Sequence, residues 1–85
     1  MTTYRVLYWQ EIPSQIRAED EDGEVSLELP QKFMARIDAL ASARGLTATD
    51  DYLAQWHWSD DEVRDGSARE VAEAVRRELE AQVDW

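Results

Sequence analysis

The chain has 85 residues, a length for one small domain, and 9 Lys plus Arg against 19 Asp plus Glu give it a formal net charge of −10. That balance argues against electrostatic binding to nucleic acid or to an anionic membrane, since both need clustered positive charge. A hydrophobic fraction of 44% with four Trp is too rich for a disordered chain, and zero cysteines exclude disulfides, zinc fingers, thiolate nucleophiles and iron–sulfur ligation.

Tyr4-Arg5-Val6-Leu7-Tyr8-Trp9-Gln10 is dense in β-branched and aromatic residues and stops at Pro13, which predicts a first strand. Tyr4, Val6 and Tyr8 take one of its faces and Leu7 and Trp9 the other, so cover or a partner is expected on both sides. The apolar run is too short for a signal sequence, which needs about 7–15 apolar residues, and a cytoplasmic setting is expected. It is also far too short to span a bilayer. Asp22-Gly23 has the chemistry of the two central residues of a type I′ turn. Counting outward pairs Ile16 with Leu29, Ala18 with Leu27, Asp20 with Val25, and Arg17 with Glu28 on the opposite side.

Pro30 suits the first turn of a helix, and Phe33, Ile37, Leu40 and Ala41, with Met34 beside them, form one apolar stripe. Gly45 is placed to end that helix in a left-handed conformation, with Arg44 at the negative end of the helix dipole. Between 47 and 58 two patterns compete. Thr47 and Asp50 fit a capping box and Leu53 with Trp56 one helical turn, whereas Tyr52, Ala54, Trp56 and Trp58 alternate as a strand would. The strand is the reading taken. Ser59 with Glu62, and Ser67 with Glu70, are two further capping boxes, separated by Asp65-Gly66. They predict a short turn and then a helix whose stripe is Val71, Ala72, Val75 and Leu79, with Glu73–Arg77 and Arg76–Glu80 on its wet side. The sum is a single α+β domain over residues 1–85, order β-ββ-α-β-α, with a sheet of three to four strands packed by two helices.

The acidic run Glu19-Asp20-Glu21-Asp22-Gly23-Glu24 fails as a calcium loop. Setting Gly23 at the loop glycine leaves Ala18 at the first ligand position and Leu29 at the twelfth, where a carboxylate is needed. His57 is the only histidine, with no second imidazole for a metal and no activated nucleophile beside it. Neither a metal, a cofactor nor a catalytic residue is expected. The informative feature is aromatic: Tyr8, Trp9, Tyr52, Trp56 and Trp58, with His57 among them, are the candidate partner-binding residues. The competing reading is that they fill the core of a small domain.

The string Tyr8-Trp9-Gln10-Glu11-Ile12-Pro13-Ser14-Gln15-Ile16, then Leu29-Pro30, Phe33 and Ile37-Asp38, then Asp51-Tyr52-Leu53, Trp56 and Trp58-Ser59, resembles the small bacterial virulence-factor domain family. The C-terminal Glu70-Val71-Ala72, Ala74-Val75 and Glu78-Leu79-Glu80 continue the likeness. The resemblance implies no catalytic residues. The expected function is therefore a non-enzymatic, cytoplasmic domain that binds a protein partner, one with basic rim residues, through an aromatic sheet face or a strand edge. The alternatives are an enzyme accessory or small-ligand domain with a pocket near Trp9, Trp56 and His57, and an acidic mimic of nucleic acid.

Overall fold

A computed structural model describes residues 1–83. It is α+β: five strands in one antiparallel sheet, with three helices. Strand β1 (Thr2–Trp9) is followed by β2 (Ile12–Asp20) and β3 (Gly23–Glu28). Helices α1 (Gln31–Ala43) and α2 (Thr49–Leu53) come next, then β4 (Trp56–Trp58), β5 (Glu62–Arg64) and α3 (Ala68–Ala81). The sheet runs β3-β2-β1, and the far side of β1 is shared by β4 at one end and β5 at the other. This explains the two-sided apolar character of β1, which is an interior strand.

Pro13 does not stop β1. It is the second residue of β2, opposite Tyr8, beside a bulge between Leu7 and Tyr8 that leaves Ser14 out of the register. The first residues of a strand and bulged positions are where a sheet tolerates a residue without an N–H. The β1–β2 connection turns at Gln10 with φ 52°, a left-handed conformation in a non-glycine residue.

The β2–β3 hairpin forms, but its register is two residues from the one expected. Ile16 faces Leu27, Ala18 faces Val25 and Asp20 faces Gly23, so the turn residues are Glu21 and Asp22. The cause is Asp20, whose Oδ1 accepts from the N–H groups of Asp22 and Gly23 at 2.8 and 3.1 Å. Its Oδ2 accepts from Ala68 N–H at 2.7 Å, joining the hairpin tip to the start of α3. Gly23 has positive φ as expected, at 151°. A two-residue shift preserves the pleat, so the apolar side chains still share one face.

Helix α1 follows its sequence signals closely. Phe33, Ile37 and Ala41 are buried, Gly45 takes φ 69°, and Leu46 N–H closes back on Ala41 C=O at 2.8 Å. The ambiguous stretch holds both candidates in turn: Tyr52 and Leu53 end α2, and only Trp56–Trp58 is strand. Ser59 caps no helix. Its backbone N–H donates to Val6 C=O and its hydroxyl accepts from Val6 N–H, which ties the chain to β1 before β5. The Ser67–Glu70 capping box is complete and opens α3, with Val71, Ala72, Val75 and Leu79 buried. On the wet side Arg76 pairs with Glu80, while Glu73 pairs with Arg69 rather than with Arg77. The α3 stripe meets the sheet face carrying Tyr4, Val6, Tyr8, Ile16 and Ala18. Thr2, fully buried, donates its hydroxyl to Gly66 C=O at 2.5 Å and anchors the other end of that face. No helix among the described residues is long and apolar enough to cross a membrane.

Candidate functional site

The six aromatic candidates separate according to strand parity. In β4, Trp56 pairs with Trp9, His57 with Tyr8 and Trp58 with Leu7. Successive residues alternate faces, so His57 and Tyr8 lie on the side that α3 covers, while Trp9, Trp56 and Trp58 lie on the other.

Trp9 is not a contact residue. It is wholly buried, its indole N–H donates to Tyr52 C=O at 3.1 Å, and Tyr52 tilts against it with ring centroids 5.7 Å apart. Its bulk makes it the filling of this end of the sheet, which corrects its placement among the partner-facing residues. Trp56 meets Tyr52 edge-on at 6.0 Å and is half-buried. Burial raises the pKa of the Tyr52 phenol, with the Asp38 carboxylate adding to it. Tyr8 and His57 stack at 5.8 Å with an interplanar angle of 16°, and burial likewise raises the Tyr8 pKa, ahead of the contribution of Tyr4.

Trp58 stands apart. It keeps 37% of its surface exposed on the face that α3 leaves open. The Arg5 and Arg17 guanidinium carbons lie 4.8 and 5.6 Å from its ring centroid, so two cations hold one indole from β1 and β2. Beside them a shallow cavity of about 170 Å³ is lined by Thr3, Arg5, Arg17, Glu19, Glu24 and Asp61. Sequence reasoning gave Arg5 no role and set Arg17 opposite Glu28, where the structure puts Ser26. The signal was there only in the β1–β2 register, which an unmarked turn at Gln10 and Glu11 concealed.

Among the described residues no group of three His, Cys, Asp or Glu converges as a metal site. Two further grooves lie elsewhere: one between Tyr4, Tyr8 and the Leu79 side of α3, the other between Gly66 and Arg77. None of the three is lined by Trp9, Trp56 or His57. Charged ties elsewhere on the surface include Arg44 to Gln10 and Glu11, and Arg64 to Glu78 in a two-pronged pair at 2.7 and 3.0 Å. Arg44 holds the Glu11 carboxyl below its usual range, and Arg64 does the same to Glu78.

Fold and site together define a small α+β domain with one sheet face sealed by a helix and the other carrying an arginine-flanked tryptophan. The chain belongs to the Virulence factor family, whose model matches residues 7–85. No curated protein and no solved structure matches it.

Proposed function

We propose that this is a non-enzymatic protein-interaction domain that docks a protein partner through the open, aromatic face of its sheet. The observation that carries the reading is Trp58: a large indole left part-exposed on the face opposite α3, with Arg5 and Arg17 against its ring. Trp and Arg are the residue types most enriched among energetically dominant interface positions. A pre-held ring also loses less freedom on binding. Trp56 extends the apolar surface, the Tyr8–His57 stack stiffens β4 from the other side, and Trp9 with Tyr52 packs beside Trp56. Exposed Val63 and Leu53 add apolar area along the sequence that flanks β4.

The net charge of −10 then acts at the rim, favouring partners with basic borders and speeding their encounter. A cytoplasmic setting belongs to the same proposal and rests on the cysteine-free composition. The small-ligand alternative is weaker, because none of the three grooves described is lined by Trp9, Trp56 or His57, where that pocket was expected.

The test is affinity capture on immobilised wild-type chain and on Trp58→Ala, followed by binary affinity measurement with the purified binder. A protein held by wild type and lost by a folded Trp58→Ala supports the reading. Capture that is indifferent to Trp58 removes it.

A further inference from the structure

The open face carries its charges in rows. Arg5 stands directly opposite Arg17, and Glu19 directly opposite Glu24, with Thr3 completing the second row. Like charges placed directly opposite destabilise a sheet, and a face shaped only for water would place opposite charges across the strands. Arg17 finds partial relief in Glu24 on the diagonal, its Nε lying 3.4 Å from that carboxylate without hydrogen-bond geometry. Arg5 has the Trp58 ring as its neighbour and makes no ion pair among the described residues. Neither do Glu19 and Asp61, which border the same cavity.

We infer that this cavity receives a pair of opposite charges from the docked protein: a carboxylate between Arg5 and Arg17 at the edge of Trp58, and a basic side chain against Glu19 and Asp61. The rows are two residues apart along β1 and β2, a spacing of about 6.6–6.8 Å. An extended segment of the form Glu-x-Lys matches it, because side chains at i and i+2 project to one side. A lone carboxylate meets Glu19, Glu24 and Asp61, and a lone ammonium meets two guanidiniums. A phosphate, near two negative charges, is repelled by the three carboxylates more strongly still. Only the paired motif satisfies both rows. The inference rests on the docking reading above and adds to it the chemistry of the docked segment.

The test titrates three end-blocked tripeptides, Glu-Ala-Lys, Gln-Ala-Lys and Glu-Ala-Gln, into the isotopically labelled full chain. The Trp58 indole and the Arg5 and Arg17 side-chain N–H resonances are followed. Saturable shifts with Glu-Ala-Lys are expected, and binding roughly tenfold or more weaker for each neutralised peptide, as befits loss of a charge-assisted contact. Arg5→Gln and Glu19→Gln are each expected to abolish the preference, with the backbone spectrum reporting that the fold is kept. Equal shifts from Gln-Ala-Lys or from acetate alone, or no saturable shift with Glu-Ala-Lys, overturn the inference. The docking reading is judged separately. If Trp58→Ala abolishes capture while Arg5→Gln and Glu19→Gln leave partner affinity unchanged, the partner docks without the charge pair and only the inference falls.

Discussion

The same strands build two surfaces with opposite fates. Val6, Ile16 and Ala18 face α3 and are buried, whereas Arg5, Arg17 and Glu19, their immediate neighbours in sequence, face outward around Trp58. One side places its free energy in apolar area removed from water, at roughly 25 cal/mol per Å². The other leaves an indole and two guanidiniums part-hydrated. A period of two residues is enough to separate stability from recognition on one ribbon of chain. Substitutions one residue apart are therefore expected to act on different properties.

The largest effects test the sealed side. Ile16→Ala removes a fully buried side chain between β1, β3 and α3, and a loss of about 2–5 kcal/mol in denaturant-measured stability is expected. The folded remainder is expected to keep its affinity for a Trp58-dependent partner. A drop in affinity without a drop in stability would erase the distinction between the faces. Trp9→Phe comes next. It leaves the Tyr52 carbonyl without its indole donor and opens space beneath β4, for an expected cost of about 1–3 kcal/mol. Trp9 lies on the recognition side by parity but in the core by burial, so a stability effect with little change in affinity would show that burial decides.

Much of the core was legible in the sequence. The stripes of α1 and α3, the Ser67–Glu70 box and the Gly45 terminus are local signals, each satisfied within a few residues of chain. The aromatic alternation in β4 also placed Trp56 and Trp58 on one face. What escaped was set by contacts distant in sequence. Asp20 sets the hairpin register by accepting from the Asp22 and Gly23 N–H groups while its second oxygen holds Ala68 N–H, 48 residues away. Ser59 met a capping pattern but was drawn to β1 by Val6. The Arg5–Arg17 pair depends on a β1–β2 turn that contains no glycine, asparagine or proline to announce it. Trp9 could not be assigned to core or surface without knowing that Tyr52 lies over it.

Trp58→Ala sharpens the comparison from the open side. Its stability cost is expected to stay near 1 kcal/mol, the scale of exposed cation–π contacts. Its binding cost is expected to reach about 2 kcal/mol or more, the scale of an anchoring interface residue. Paired unfolding and titration curves read both. A stability loss as large as that of Ile16→Ala would make Trp58 a core residue and remove its anchor role.

The smallest effect lies on the seam between the hairpin and α3, and it depends on pH. Asp20 accepts from the Ala68, Asp22 and Gly23 N–H groups, and these hold its pKa below the usual carboxylate value, Ala68 contributing most. A folded pKa below the unfolded one means that the ionised group favours the fold. That contribution is complete above the unfolded carboxylate range, near pH 4, and is lost as pH falls through the lower folded value. Asp20→Asn keeps one acceptor for the turn but turns a donor-bearing amide toward Ala68 N–H or leaves it unmatched. The variant is expected to unfold at a lower temperature than wild type at pH 7, by a modest margin because the group is near solvent. The gap is expected to narrow as pH falls below about 4 and to close once it has passed the lower folded value, where wild-type Asp20 too is uncharged. Glu11, Glu70 and Glu78 titrate downward as well, but they are common to both proteins and cancel in the difference. A gap that holds constant down to strongly acidic pH would mean that Asp20 acts through shape alone, and its charge would have no part in joining the hairpin to α3.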